Sequence, residues 1–310
     1  MCIHNFQNGN NKSRLERFMD TFRAMSYFVN IAESGNFKRT ADEFGCSTSL
    51  ISKEISKLES SVNARLLQRS TRKVQLTEIG AGYLEHCKKI LQLKEQSIDY
   101  VQDMQGTAKG VLKVNAPMTL GLTDLAAAFG AFSAQHPEIE LDVDLSDNTI
   151  DLIKQGFDVG FRASSTGVDS NYIGKPIYTF TLHIVTSPQY LQQIGGVDSP
   201  QSLSALNCFV YSLAMNKDMW PIDGGVKVSG SIKANNTIFL REALLQGQGV
   251  GLVPSFVCKE QLKSGELIEL FPEHKLPRLS FYVLYPSREH TPVKLMKFVD
   301  FMTQWFKSQN

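Results

Sequence analysis

Between Thr77 and Gly106 the chain carries one uninterrupted amphipathic pattern: Ile79, Tyr83, Cys87, Ile90, Leu91, Ile98 and Val101 recur at helical spacing, and Thr77 is placed to cap the start. A helix of roughly 28 residues is about 42 Å long. It divides the chain into a short N-terminal part and a longer C-terminal part. Its apolar stripe is too long for a small domain to cover, so it packs either on a second copy of itself or on the C-terminal part. Dimerisation is the reading taken.

With 310 residues, 42% of them hydrophobic and 20% charged, the chain can build two or three domains with their own cores, which excludes bulk disorder. The formal net charge of +1 conceals a division. Lys and Arg outnumber Asp and Glu by 16 to 12 in residues 1–109, and are outnumbered by 19 to 16 in residues 110–310. The excess is sharpest from Ser60 to Thr77, which holds Arg65, Arg69, Arg72 and Lys73 and no acidic residue. No apolar run reaches the length of a membrane span, and Met1 to Asp20 is too polar for a signal peptide, so a cytoplasmic protein is expected. The five cysteines (Cys2, Cys46, Cys87, Cys208, Cys258) never fall as CxxC. Neither a disulfide framework, a metal site nor a cofactor is expected.

Residues 1–18 are polar and lack periodicity, so they read as a disordered extension, with Met19 as an alternative start. From residue 19 to 77 the pattern is that of a small helical domain. Phe22, Met25, Val29 and Ala32 mark a helix stopped by Gly35, and Phe37 to Phe44 a short one closed by Gly45. Ser47 or Thr48 caps a third, running to about Ser60, with Ile51, Ile55 and Leu58 inward. Its outer face presents Ser49, Ser52, Lys53, Ser56 and Lys57: short hydroxyls that allow close approach, and cations that reach phosphates or base edges. Leu66-Leu67 and Val74-Gln75-Leu76 then flank a basic tip, Arg69 to Lys73 including Thr71 and Arg72, as a hairpin wing. Taken singly, each element is a solvated helix face or a soluble loop. Taken in order, they make a winged helix-turn-helix that can enter a major groove, with Ser47, Thr48 and Ser49 at the leading turn.

Phe28-Val29 through Ala32-Glu33-Ser34-Gly35-Asn36-Phe37, then Ala41, Ser52-Lys53-Glu54-Ile55, Leu58-Glu59, Leu66-Leu67, Arg69, Thr71-Arg72 and Leu76-Thr77-Glu78-Ile79-Gly80 resemble the N-terminal signature of LysR-type transcriptional regulators. The resemblance covers nearly all of the chain from Met19. One departure is Lys53, where the family usually has Arg after the helix-three serine. A lysine lacks the bidentate fork, which favours a phosphate contact over guanine readout.

After a linker over residues 78–109, strands and helices alternate from 110 to 310. The strands are read at Leu112–Ala116, Ile139–Leu145, Phe157–Arg162, Thr181–Thr186, Cys208–Ser212, Val228–Ala234 and Val250–Val253. This is mainly α/β, with the pattern of a parallel sheet, in two lobes that leave a crevice at the strand ends. The resemblance implies a two-lobed effector-binding domain similar to periplasmic binding proteins, with lobe I at 110–177 plus 279–310 and lobe II at 178–278. The final helix is expected over Val293 to Lys307. Pocket candidates are Met118 and Thr119 at a helix start after the first strand, where hydroxyl and backbone N–H groups suit an anion. Arg162 ends a strand and suits a carboxylate, Tyr211 and Trp220 suit an aromatic ligand, and Asn235 and Thr237 sit at an equivalent strand end of lobe II. Each has a plainer role as a cap, an ion pair with Asp147 or Asp158, or core. Gly247-Gln248-Gly249-Val250-Gly251 precedes a strand rather than following one, so it is not a dinucleotide fingerprint, and no HExxH or GxSxG occurs.

The expected protein is therefore a cytoplasmic regulator rather than an enzyme. It would bind operator DNA as a homodimer or homotetramer and respond to a small molecule, a carboxylate or an aromatic compound. The alternative is a sequence-tolerant architectural DNA binder whose C-terminal part only oligomerises.

Overall fold

Apolar residues recur at helical spacing from Leu15 through Phe18, Phe22, Met25 and Val29, and helix α1 follows that period over Gly9–Ser34. The computed structural model describes residues 9–69, 74–104, 106–148, 150–165, 172–287 and 291–308, with side chains from Asp20 onward apart from Arg69 and Gln102. Residues 9–18, expected in a disordered extension, lie within α1. Their polar composition hid a period that Leu15 and Phe18 already carry.

Two units divide the chain, Met1–Val101 and Gln102–Asn310. In the first, α1 is followed by α2 (Phe37–Glu43), α3 (Thr48–Ser61), an antiparallel hairpin of β1 (Leu67–Arg69) and β2 (Val74–Leu76), and α4 (Glu78–Met104). Phe28, Ile31, Ile51, Ile55 and Leu66 are fully buried where these helices meet, and Cys87 of α4 joins the same core. Thr77 Oγ1 accepts the Gly80 N–H at 2.8 Å, capping α4. A Cβ at Gly80 would lie 2.0 Å from the Leu66 carbonyl oxygen, so only glycine lets α4 start this close to the hairpin.

The second unit opens with β3 (Gly110–Ala116), α5 (Met118–Leu120), a π turn over Gly121–Leu125 and α6 (Ala126–Gln135). Next come β4 (Ile139–Leu145), α7 (Leu152–Gln155), β5 (Val159–Ser164), the 15-residue β6 (Tyr172–Thr186) and α8 (Pro188–Gln193). Lobe II adds β7 (Cys208–Tyr211), β8 (Met219–Trp220), β9 (Val226–Lys227), β10 (Lys233–Ala234), α9 (Thr237–Leu245), β11 (Val250–Pro254), α10 (Ser255–Ser264) and β12 (Ile268–Leu270). The chain returns through β13 (Arg278–Pro286) to α11 (Val293–Lys307).

β6 joins the lobes within one strand. Its residues Tyr172 to Thr181 pair antiparallel with β13, and Leu182 to Thr186 pair antiparallel with β11. Each lobe has its own core. Phe132, Phe161 and Phe298 anchor the first, with the Phe132 and Phe298 rings edge-to-face at 5.1 Å. Cys208, Val210 and Trp220 belong to the second. The expected parallel sheet holds for β4-β3-β5 and for β11-β7-β10, whereas β6, β12 and β13 are antiparallel. The crossing strands run antiparallel because the chain passes through them once outward and once back. Among the described residues no helix is long and apolar enough to cross a membrane, and no cluster of three His, Cys, Asp or Glu is placed to hold a metal.

Candidate functional site

The first candidate is the outer face of α3. Asn36 caps α2 by accepting the N–H groups of Lys38 and Arg39 at 2.8 and 3.2 Å, Gly45 turns the chain with φ +60°, and Ser47 caps α3 by accepting the Leu50 N–H at 3.2 Å. This is the tight turn of a helix-turn-helix. Ser47, Thr48, Ser49, Lys53, Ser56 and Lys57 are exposed on one side, with Ser52 half-buried beside them, while Ile51, Ile55 and Leu58 hold the other side in the core. The two lysines differ. Glu54, buried on the same helix, takes Lys57 Nζ at 2.7 Å, whereas Lys53 forms no ion pair among the described residues. Ser56 Oγ donates back to the Ser52 carbonyl at 2.9 Å. Glu59 Oε1 accepts the N–H groups of Leu66 and Leu67 at 2.8 and 3.1 Å, tying the end of α3 to the base of the hairpin. Thr71, Arg72, Lys73 and the side chain of Arg69 lie outside the described residues.

The second candidate is where the two lobes meet. Thr119, on α5 of lobe I, and Thr237, at the start of α9 in lobe II, are both buried, and their hydroxyls hydrogen-bond at 3.1 Å. Their neighbours bring polar groups to the same place. Asp147, just past β4, accepts the Met118 N–H through Oδ1 at 3.0 Å. Burial pushes the Asp147 carboxyl above the usual carboxylate range, while the Met118 hydrogen bond pulls it back. From lobe II, Tyr211 ends β7 half-buried, its phenol pushed up to about 12 by burial and by the Asp147 charge. The other expected pocket residues have different surroundings. Trp220 is 3% exposed in the core of lobe II, so its indole is spent on packing. Asn235 is exposed, and the cap of α9 is Asn236, which accepts the Phe239 N–H at 3.0 Å. Arg162 pairs with neither Asp147 nor Asp158. Its Nη1 donates to the Phe161 carbonyl at 2.7 Å, its Nη2 is buried without a partner among the described residues, and desolvation lowers its pKa against the pull of Tyr172 and Asp144. Asp147 is the residue that sequence reasoning named only as a partner for Arg162. The Ser146-Asp147-Asn148 turn carries no signal that its carboxylate folds back onto a helix start.

Cys87, Cys208 and Cys258 are buried with their thiols pushed up to about 11, 12 and 12 by desolvation, which leaves little thiolate at neutral pH.

These features have counterparts in known proteins. Residues 22–81 match the family described as bacterial regulatory helix-turn-helix protein, lysR family, and residues 105–307 match the LysR substrate binding domain. An uncharacterized HTH-type transcriptional regulator of Haemophilus influenzae is 31% identical over 283 residues, covering 89% of this chain and 98% of that protein. The full-length structure of the Vibrio cholerae virulence activator AphB, a member of the LTTR protein family, is similar with TM-score 0.64 at 26% identity, over 91% of this chain and 98% of that one. CrgA, a LysR-type transcriptional regulator from Neisseria meningitidis, is similar with TM-score 0.59 at 26% identity, over 92% and 98%.

Proposed function

The chain belongs to the LysR family of DNA-binding transcriptional regulators, and from that premise we propose which of its residues read DNA and which take the small molecule. Like its family it binds operator DNA, oligomerises and carries an effector-binding domain. We read it as a cytoplasmic regulator without catalytic activity of its own.

Operator reading falls to Ser47 at the cap of α3 and to Thr48, Ser49, Ser52 and Ser56 on it, with Lys53 and Lys57 of α3 and Arg69, Thr71, Arg72 and Lys73 of the wing on neighbouring phosphates. Lys53 is the leading cation, because Lys57 is engaged by Glu54. Self-association falls to α4, whose Ile79, Leu93, Ile98, Val101 and Met104 side chains stand exposed, Leu93 at 61% and Met104 at 72%. The effector falls to the meeting of the lobes, at Met118, Thr119, Tyr211 and Thr237. The observation that carries this is the Thr119–Thr237 hydrogen bond, the one polar contact described between α5 and α9. Any ligand that spreads or tightens the lobes changes its geometry, and a difference in ligand affinity between the two arrangements is all that coupling to the DNA-binding domains requires.

The test is fluorescence anisotropy with full-length protein, comparing an operator selected from random duplexes with an unrelated duplex at several salt concentrations. A specific regulator keeps a ratio of roughly a thousandfold or more. A ratio near one throughout would instead mark a sequence-tolerant architectural protein.

A further inference from the structure

The polar groups at the meeting of the lobes differ in what they have left to offer a ligand. Anions are held at helix starts by backbone N–H groups, and here one such group at each of two helix starts is already taken by the chain itself. The Met118 N–H at the start of α5 is taken by Asp147 Oδ1 at 3.0 Å, and the Phe239 N–H at the start of α9 is taken by Asn236 Oδ1 at 3.0 Å. Arg162, the strand-end cation of lobe I, is turned to the Phe161 carbonyl and lies under the influence of Asp144 and Tyr172 rather than of Asp147. Asp147 thus has no cationic partner among the described residues; its one hydrogen bond is to a neutral backbone amide. Thr119, next in the chain to the Met118 whose N–H Asp147 accepts, hydrogen-bonds Thr237, and Tyr211 feels the Asp147 charge; these three hydroxyls accept as well as donate. A half-buried carboxylate without a counter-ion disfavours a second negative charge and favours a positive one.

Resting on the reading that the effector sits between the lobes, we propose that the effector carries an ammonium group, bound by the Asp147 carboxylate with the Thr119, Thr237 and Tyr211 hydroxyls as further acceptors, and that this site rejects a carboxylate in the same position. An ammonium has three donors and no acceptor, which matches a carboxylate with free lone pairs flanked by hydroxyl oxygens. A carboxylate ligand competing for the Met118 N–H would have to evict Asp147 from it, and anywhere nearby it would sit beside the Asp147 charge. On this proposal an amine stands where the sequence suggested a carboxylate or an aromatic compound.

The experiment is calorimetry and thermal shift on the full-length protein with pairs of compounds on one skeleton: pentane-1,5-diamine against pentanedioate, benzylamine against benzoate, and a wider metabolite set divided into amines and acids. The result expected is that amines bind and acids do not, and that Asp147→Asn weakens each bound amine about tenfold or more, as loss of a charge-assisted hydrogen bond implies. Thr119→Val and Tyr211→Phe distinguish the two ways of failing. If acids bind and lose affinity in Thr119→Val or Tyr211→Phe, the site stands and the amine assignment is overturned. If the bound compounds, of either class, are indifferent to all three substitutions, the site itself is overturned. If no amine in the set binds, the proposal is likewise overturned. Circular dichroism on each variant checks that the fold is retained.

Discussion

The DNA-reading unit and the effector-binding unit are built on different length scales, and that difference governs how each one works. In the first, the groups that make the turn of the helix-turn-helix lie within a few residues of one another: Asn36 caps α2 through Lys38 and Arg39, and Ser47 caps α3 through Leu50. In the second, the Thr119–Thr237 contact spans 118 positions and the Asp147–Met118 contact 29. A site made of local contacts is rigid once its helices form. A site made by two lobes depends on how the lobes stand, which is what a sensor needs.

The largest effects test whether the units are energetically separate. Phe298 is fully buried against Phe129, Phe132 and Phe161 in lobe I, and Ile55 is fully buried on the inward face of α3. Phe298→Ala is expected to destabilise the effector unit by about 3–5 kcal/mol, and Ile55→Ala the DNA-reading unit by about 2–5 kcal/mol. Differential scanning calorimetry should show each variant lowering one transition and sparing the other. A common shift of both would merge the two units into one.

Next in size is Lys53→Ala, which should weaken operator binding by about 1–3 kcal/mol and reduce the salt slope by about one, leaving thermal stability unchanged. Lys57→Ala should cost less binding, because its ammonium is engaged by Glu54. Equal losses would erase the distinction between the two lysines. Asn36→Ala removes two hydrogen bonds at the start of α2 and is expected to cost about 1 kcal/mol of stability in the DNA-reading unit, read by urea denaturation.

The same contrast explains what the sequence made legible. Helices α2 and α3 follow from caps, a left-handed glycine and a 3.6-residue period, all local, and the inward set Ile51, Ile55 and Leu58 is buried, joined by Glu54, which the period does not mark. The start of α1 is hidden by composition: residues 9–18 are polar, and only the period through Leu15 and Phe18 marks the helix. In the effector unit β13 is absent from the strands the sequence suggests, although Leu279 to Tyr285 is nearly continuous in apolar and aromatic residues, because its pairing with β6 joins Arg278–Pro286 to Tyr172–Thr181 across all of lobe II. Thr119 and Thr237 were legible as strand-end residues. Their contact was not, since no local rule brings α5 to α9. Trp220 looked like a stacking surface, but an aromatic residue on a short strand is as readily core, and here it is core.

The smallest effect is a pH dependence at Asp147. Its carboxyl is raised by burial in the folded chain, so the folded state binds the proton more tightly than the unfolded one. Its contribution is fully present below the ordinary carboxylate range and is lost as pH rises through the raised value. Asp147→Asn should therefore leave stability unchanged in acid and increase it slightly at neutral pH. A gain at low pH, or a loss at neutral pH, would show that the carboxylate stabilises the lobe rather than straining it.

The division of labour between a local DNA reader and a long-range sensor is tested most directly by measuring, for one selected operator and at several salt concentrations, the affinity of the unsubstituted protein, Lys53→Ala and Thr237→Val. The account predicts that Lys53→Ala loses about tenfold or more in affinity with a salt slope shallower by about one, while Thr237→Val keeps the salt slope of the unsubstituted protein, because it touches no phosphate. Operator affinity and salt slope unchanged by Lys53→Ala, or a salt slope lowered equally in Thr237→Val, would contradict it.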